Sequence, residues 1–475
     1  MPSPNLIIKS TDFTNEDVSF YSWPISIIGG TESSPVIVTF TEDITLDKSN
    51  NYFIIASDYI TIQGIDDGVL PLPNLTIIVI DGVENYPGLV MNGTGDNDAY
   101  NYINIKNINI DGSSTLDPGS GWFAQSNFGD SKNSDNTINN CANVLNITSN
   151  ASGGFFGLES YGKCISCLNA GEISGNVSGG FFGPSSNGII DSCKNSGSIL
   201  AIGSGGFFGR SCTGTITDSF NYGAIIGSAA GGFFAVESTG TAKNCENDGE
   251  ISGENAGGFF AFSNNLLIAE DCSNFGQISG VEAGGFFCYK SSGILKNSTN
   301  YGAITGNYAG GLIGGGSVTD TINCKNIGSI AGNKSGGIYG SSCAGNSNNC
   351  TNDGAISGQN CGGIFGADSL GVANNCINSG EIAGEGAGGI IGAGSVGSAT
   401  NCINDGSITG VNAGGICASW CGSLVTNSIN NGVITGISEG GIFGAFYSGT
   451  AVDCTNNGKI IGNNSSDIYG APLIN

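Results

Sequence analysis

The sequence predicts an all-β fold, a right-handed parallel β-helix or β-solenoid with about 26 residues per coil. The segment Gly-Gly-Phe-Phe-Gly at 153–157 recurs in varied form every 26 residues as far as 466, with one longer interval after Gly257. Most copies contain Cys-x-Asn-x-Gly-x-Ile-x-Gly, which alternates with the two-residue period of a strand. Glycine supplies 83 of 475 residues, which favours tight turns and excludes long helices. A period this regular indicates identical units stacked on one another.

Residues 1–140 are predicted to form irregular opening coils and an end cap, because no copy of the repeat is visible there. Turn signals such as Asp67-Gly68, Asp81-Gly82 and Asp111-Gly112 separate short apolar stretches. These stretches are predicted strands at 36–40, 52–55, 59–62, 75–80 and 102–105. A cap is expected because an open terminal coil exposes strand edges.

Residues 141–475 are predicted to form the repeat solenoid. Counting the first glycine of each copy as position 0, position 14 is Cys in most copies and Ser in three, and we name it the Cys column. Its members include Cys167, Cys193, Cys245, Cys324, Cys350, Cys376, Cys402 and Cys454. Since Ser cannot replace half of a disulfide or a zinc thiolate, we expect buried free thiols that pack as small apolar groups.

Position 16 is Asn in every copy, and we name it the Asn column. It includes Asn169, Asn195, Asn326, Asn352, Asn378 and Asn404. In a parallel stack these side chains are expected to form an amide ladder from coil to coil. A residue present in every copy cannot be catalytic in all of them, so the ladder is the interpretation we adopt.

Positions 2 and 3 carry large apolar residues, and we name them the first and second ring columns. Adjacent strand residues point to opposite faces, so the second ring column is either buried at a bend of the chain or exposed as an aromatic stripe. The residues of this possible stripe are Phe156, Phe182, Phe208, Tyr339, Phe365 and Phe443. An exposed stripe would be a binding or assembly surface.

The repeat at 362–392, GGIFGADSLGVANNCINSGEIAGEGAGGIIG, resembles the GLUG-motif repeat in its Gly-Gly-aliphatic start, its Asn-Cys and its Gly-x-Ile-x-Gly. The resemblance covers about 140–470, and Phe-Phe in the first six copies departs from the usual aliphatic pair. Repeats of this type occur in bacterial surface proteins, adhesins and the flanks of secreted peptidases, and in proteins of large DNA viruses. The resemblance implies a display or adhesion stalk and carries over no catalytic residue.

Composition restricts the partners. The formal charge is −26, with 39 acidic and 13 basic residues and Arg210 as the single arginine, so neither nucleic acid nor membrane insertion is expected. The chain has no histidine and no calcium-loop motif, and Cys164-Ile165-Ser166-Cys167 is a lone CxxC, so no cofactor or metal is expected. Self-association through the C-terminal coils is expected, and glycans or other surface proteins stay open as partners.

We expect a non-enzymatic fibrous structural or surface protein, a virion or cell-surface component used for display, attachment or assembly. The carboxylate pairs Asp66-Asp67, Asp96 with Asp98, and Glu270-Asp271 read as loop residues rather than catalytic pairs. The alternative is a carbohydrate-binding or polysaccharide-cleaving β-helix protein. The first residues lack the pattern of a signal peptide and free thiols suit a reducing compartment, so synthesis in the cytosol is expected.

Overall fold

The computed structural model describes residues 6–8, 23–65, 75–93, 99–130, 135–263 and 266–472. The predicted fold class is confirmed: the chain is an all-β parallel β-solenoid of about 16 turns, with about 26 residues per turn and no helix among the described residues. It divides into two compact units. The first is Met1–Gly223 with Phe233–Gly240, and the second is Ala224–Gly232 with Thr241–Asn475.

Each coil contributes one strand to a first parallel sheet. In the first unit its strands are Leu6–Ile8, Val36–Phe40, Ile60–Gln63, Asn104–Lys106, Thr137–Asn139, Tyr161–Ile165, Asn187–Asp191 and Thr213–Thr217. In the second unit they are Leu267–Glu270, Gly293–Lys296, Asp320–Ile322, Asn346–Asn348, Val372–Asn374, Ser398–Thr400, Leu424–Thr426 and Thr450–Val452. The strand Thr239–Lys243 takes residues from both units.

Shorter strands form a second parallel sheet. In the first unit they are Ile44–Leu46, Thr76–Ile80, Ile108–Gly112, Ala142–Asn143, Leu168–Asn169, Lys194–Asn195 and Phe220–Asn221. In the second unit they are Glu246–Asn247, Ser273–Asn274, Thr299–Asn300, Lys325–Asn326, Thr351–Asn352, Ile377–Asn378, Ile403–Asn404, Ile429–Asn430 and Thr455–Asn456. Equivalent positions of successive copies pair directly, as in Asn352 with Asn378, so the register follows the sequence repeat.

The third face starts as a sheet and continues as single bridges. Its strands are Ile25–Ile27, Phe53–Ile55 and Val90–Asn92. Val90 bridges Ala124, and Ala124 bridges Phe156, so the opening coils lead directly into the Gly-Gly-Phe-Phe arc of the repeats. In the second sheet Asn109 pairs with Ala142, which shows that strand pairing runs across residue 140.

The predicted N-terminal strands lie where the sequence placed them, with small shifts at their starts. Val36–Phe40 matches, whereas the later strands begin one or two residues further on, at Phe53, Ile60, Thr76 and Asn104. Tyr59 and Tyr102 had been assigned to strands, but their φ angles are 58° and 59°. They are corner residues whose rings stack outside at 4.5 Å. The turn Asp67-Gly68 lies outside the described residues.

Three corners with positive φ turn each typical coil. Between 166 and 185 the corner residues are Ser166, Val177 and Ser185, with φ angles of 52°, 56° and 57°. The residue after each corner points inward and is small: Cys167, Ser178 and Ser186. Isoleucine at position 20, aliphatic or small residues of the first sheet and the two ring columns fill the space between the faces.

Candidate functional site

The Asn column is a buried amide ladder in both units. Asn352 Nδ2 donates to Asn378 Oδ1 at 2.7 Å, and Asn378 Nδ2 donates to Asn404 Oδ1 at 2.7 Å. The second hydrogen of Asn378 Nδ2 bonds the carbonyl of Gly380 at 2.8 Å. The same pattern joins Asn143, Asn169, Asn195 and Asn221, and it joins Asn247 through Asn456. Because hydrogen bonds occupy these amides inside the coil, their role is structural.

The Cys column also makes hydrogen bonds, which the sequence interpretation as a small apolar position did not include. Ser219 Oγ accepts a bond from the Cys193 amide at 3.0 Å and donates to the Thr217 carbonyl at 2.7 Å. Cys193 takes the same two roles, accepting from the Cys167 amide and donating to the Asp191 carbonyl at 3.2 Å. Ser and Cys therefore interchange because either can bridge the backbone of neighbouring coils.

The cysteines outside this column are less scattered than the sequence suggested. Cys212, Cys343 and Cys421 occupy the inward position after the third corner, and Cys361 occupies the one after the second. Each thiol donates to a carbonyl of the preceding coil, as Cys361 Sγ does to Gly332 at 2.9 Å. All seventeen cysteines are free, and all but Cys454 are buried. Burial raises the pKa of Cys212 to about 12, so this thiol is a poor nucleophile.

The interpretation of the second ring column as an exposed stripe is wrong. Phe156, Phe182, Phe208, Tyr339 and Phe443 are 0% exposed and Phe365 is 1% exposed. The chain bends between the glycine pair and the rings, so both ring columns face inward. Consecutive rings stack at coil spacing, for example Phe156 on Phe182 at 4.7 Å and Tyr339 on Phe365 at 4.5 Å.

A glycine at position 9 makes room for the second ring column. A Cβ on Gly188 would lie 2.4 Å from Cζ of Phe182, and one on Gly371 would lie 2.2 Å from Cε1 of Phe365. Where position 9 is Thr319 or Ser423, position 3 of the same copy is Ile313 or Cys417 instead of an aromatic residue, although Leu267, which pairs with Gly293, shares its copy with Phe260. This covariation of size was present in the sequence and could have shown that the rings are buried.

The described carboxylate pair, Glu270 and Asp271, lies at the end of a strand and at the corner that follows it. The φ angle of Asp271 is 55°. Both carboxylates lie near Lys243 Nζ, at 3.5 Å and 3.9 Å, on an exposed surface. The pairs Asp66-Asp67 and Asp96 with Asp98 lie outside the described residues.

Arg210 has an acidic partner that sequence distance concealed. Its guanidinium makes a two-point contact with Glu237 in the next coil, with Nε to Oε2 at 2.9 Å and Nη2 to Oε1 at 3.0 Å. Both side chains are about half exposed, so the pair contributes little to stability. The described part of the chain has no group of three or more Cys, Asp or Glu side chains that could hold a metal ion.

Glu439 is an exception among the small inward-pointing residues that follow the corners. It occupies the inward position after a corner, where other copies have Ser, Ala or Cys, and it is 0% exposed. Its Oε2 accepts a bond from the Gly436 amide at 2.6 Å, while Oε1 is buried without a partner. Burial raises the pKa of Glu439 to about 7. Glu439 is therefore a single buried carboxylate in the repeat and is not part of a cluster of acidic residues in the described part of the chain.

A polar cavity of about 350 Å³ lies on the outer surface of the second unit. It lies where glycine replaces two corner side chains, Gly386 and Gly394, with φ angles of 64° and 71°. Among its lining residues are Asn360, Asp368, Asn412 and Trp420. Trp420 is 53% exposed, whereas Trp122 is fully buried. The sequence pattern does not reveal this cavity, because these four polar and aromatic residues are 8 to 60 positions apart and only coil stacking brings them together.

Comparison with known proteins yields only distant likenesses. No protein-family model matches the chain, and no curated protein matches it. A proposed immunoglobulin A1 protease from Bacteroides ovatus is 20% identical over 50% of this chain and 78% of its own, with a TM-score of 0.28. The A-module of the mannuronan C-5 epimerase AlgE6 from Azotobacter vinelandii is 10% identical over 93% of this chain and 92% of its own, with a TM-score of 0.18. Neither likeness carries a functional argument.

No helix that is long and apolar enough to cross a membrane occurs in the described ranges.

Proposed function

We propose that the protein is a non-enzymatic structural component of a surface, either the outer layer of a particle such as a virion or a cell surface, used for display, attachment or assembly. The observation that carries this proposal is that each repeated polar side chain of the interior is used to join coils. Asn378 bonds Asn404, Ser219 bonds the Cys193 amide, and the ring columns are closed by glycine. Polar side chains used in this way between coils support a structural role.

We also propose that the repeats belong to the GLUG-motif family. Their likeness to GLUG motifs favours a stalk. The charge of −26 suits a surface that stays soluble and does not bind nucleic acid. Buried free thiols, such as those of Cys324 and Cys376, favour folding in a reducing compartment before assembly.

Polysaccharide cleavage is the less favoured class, because Glu270 and Asp271 are bound to Lys243 at an exposed corner. Carbohydrate binding through the second ring column is not supported either, since those rings are buried.

Antibodies against the chain test the location. We expect them to label intact particles or cells of the native source without permeabilisation. Labelling that requires permeabilisation would contradict the surface assignment. The purified chain is expected to cleave neither polysaccharides nor peptides, and cleavage lost in an E270Q/D271N double variant would show that the protein is an enzyme.

We also propose self-association through the last described coil. In the strand Thr450–Val452 the inward residue, Ala451, is half-buried, whereas the equivalent residue of the preceding coil, Val425, is 0% exposed. Its backbone edge can pair with a strand from another copy. Deleting residues 441–475 should change the oligomer measured by light scattering without loss of the strand spectrum. A monomer at high concentration, unaltered by the deletion, would contradict this proposal.

A further inference from the structure

Two ridges of corner residues run along the outer surface of the second unit. One ridge, at position 24, includes Asn360, Gly386 and Asn412, and the other, at position 6, includes Asp368, Gly394, Trp420 and Phe446. In most coils both ridges carry side chains. The turn 386–394 carries none on either ridge, and this absence creates the cavity of about 350 Å³, which we call the gap.

The gap exposes one face of an indole. Phe446 covers Trp420 from the following coil, with ring centroids 4.8 Å apart and an angle of 31° between the planes. On the other side the ridge continues with Gly394, which has no ring to stack on Trp420. Asp368 lies one coil further on, about 10 Å along the ridge from Trp420 at a coil spacing of about 4.8 Å. Its Oδ1 would lie 2.5 Å from a Cβ on Gly394, so this carboxylate leans over the gap and must turn aside for a flat ring to stack on the indole.

Polar groups border the same space. The side-chain amides of Asn360 and Asn412 have no hydrogen-bond partner among the described residues. Asn360 Oδ1 would lie 2.7 Å from a Cβ on Gly386, so this amide leans over the gap. Each amide offers one acceptor and two donor hydrogens. An apolar wall with a few converging polar groups in a cavity of this size is typical of a small-ligand site.

We propose that the gap binds a neutral oligosaccharide, with one sugar ring stacked on Trp420 and its hydroxyls bonded to Asn360 and Asn412. A pyranose ring has an apolar C–H face that matches the indole, and hydroxyl groups at its rim that match amides and carboxylates. The proposal does not depend on the structural role proposed above, and it places carbohydrate binding at a surface other than the ring columns.

The charges of the gap select an uncharged ligand. Asp368 and Glu385 are two carboxylates, and Lys334 is the single cation lining this cavity. Lys334 Nζ is 3.2 Å from Asp368 Oδ2, so its charge is already compensated. Gln359 Nε2 donates to Glu385 Oε2 at 3.1 Å and orients that carboxylate as an acceptor. A uronic acid would meet net negative charge, which disfavours anionic polysaccharides.

Calorimetric titration of the full chain with oligosaccharides of glucose, mannose and N-acetylglucosamine tests the proposal, with oligomannuronate as the charged comparison. W420A removes the stacking face. G394F fills the gap with a ring that a corner accepts, as Phe446 shows in the same ridge with a φ angle of 61°. Both variants should weaken binding of a neutral oligosaccharide about tenfold or more.

Two variants serve as matched controls. Y301A removes another exposed ring, 44% exposed and stacked on Phe275 outside the gap. S185F adds a ring at the same corner position in the first unit, where φ is 57°. Both should bind like the unaltered chain, and all four variants should keep its strand spectrum. Acrylamide quenching gives a second measurement, because ligand should protect the half-exposed Trp420 and this protection should vanish in W420A.

Loss of binding in W420A and G394F, with binding retained in Y301A and S185F, supports the gap as a neutral-glycan site. The proposal is overturned if no neutral oligosaccharide in the panel binds, if only oligomannuronate binds, or if W420A and G394F bind as tightly as the unaltered chain.

Discussion

The amide of Asn378 makes three hydrogen bonds inside the wall, with Asn352, Asn404 and Gly380. In N378A the Asn352 donor and the Asn404 acceptor both lose a partner while they remain buried. We expect the free energy of unfolding to fall by about 2–4 kcal/mol, the cost of stranding buried polar groups. Urea denaturation followed by circular dichroism measures the change.

The matched control is N375S. Asn375 belongs to a second, exposed amide ladder at the corner and donates to Asn349 Oδ1 at 3.2 Å. Serine occupies the same corner position at Ser166 and Ser192, so this variant should change stability little. Equal losses in N378A and N375S would contradict a special role for the buried ladder.

Cys376 is expected to tolerate serine. The thiol donates to the Asn374 carbonyl at 3.4 Å, and Ser219, Ser298 and Ser428 make equivalent bonds in the same column. We expect C376S to cost at most about 1–2 kcal/mol, because the hydroxyl keeps the bridge. C376V, which cannot donate or accept, should cost more by the same urea measurement. A C376S variant less stable than C376V would contradict the hydrogen-bonded role.

Glu439 predicts a pH dependence of stability. Burial raises its pKa to about 7 in the folded state, above the usual value near 4.5. The protonated form is therefore favoured by folding, so its contribution is fully present below pH 4.5 and is lost as pH rises through 7. E439S, with the residue found at Ser178 and Ser335, should gain about 2–3 kcal/mol over the unaltered chain at pH 8 and little at pH 4.

Thermal unfolding at several pH values tests this dependence. E381Q is a suitable control, because Glu381 is exposed and its loss removes the same charge without relieving burial. If E439S and the unaltered chain lose stability in parallel from pH 4 to pH 8, the buried carboxylate does not cause the dependence.

At the scale of the single coil, glycine decides whether neighbouring coils can approach. A Cβ on Gly363 would lie 2.1 Å from the carbonyl oxygen of Gly389, which belongs to the next coil and cannot move alone. G363A is therefore expected to lower the free energy of unfolding by at least about 2–3 kcal/mol. In G422A the added Cβ meets side-chain atoms at 3.2 Å, so this variant should be nearly neutral in the same assay.

The corner explains why such different residues share one conformation. Position 6 accepts Ser342, Asp368, Trp420 and Phe446, all with φ near 60°, because the side chain points outward and the inward residue after it closes the turn. Hydrogen bonds between coils hold the left-handed backbone that a single corner would disfavour. The outward-pointing corner side chains can therefore differ from coil to coil while the backbone conformation stays the same. The gap at 386–394 results from this variation.

For the molecule as a whole, the repeat predicts that a complete coil can be removed. Deleting residues 284–309 removes 26 residues and brings Gly310 to the place of Gly284, so that Asn274 meets Asn326. Each coil interacts with its neighbours only, so stability should fall by roughly the share of one coil. Circular dichroism per residue should be unchanged.

Deleting the first half of the same coil, 284–296, is the comparison. The remaining half brings unlike positions together, so the Asn column and the ring columns lose their register. We expect aggregation or loss of the cooperative thermal transition for this variant. A half-coil deletion that unfolds as cooperatively as the whole-coil deletion would contradict the stacked-unit description.

The sequence by itself determined the period, the strand pairing and the amide ladder of the Asn column. A ladder residue such as Asn378 recurs at one fixed position, and repetition alone implies that equal positions stack. The burial of Phe365 was not determined in this way, since a two-residue period places neighbouring rings on opposite faces. Only the bend of the chain and the space over Gly371 brought both ring columns inside.

Tertiary structure also decided what the surface offers. Trp420 and Asp368 are 52 residues apart in the sequence, yet both line the gap. The gap exists because Gly386 and Gly394 have no side chains, and no sequence motif marks it. The partner of Arg210 in the next coil was hidden for the same reason. Columns follow from periodicity, because every copy repeats them. A site that occurs once depends on which irregular residues of different copies come to lie together, and stacking of the coils is what decides that.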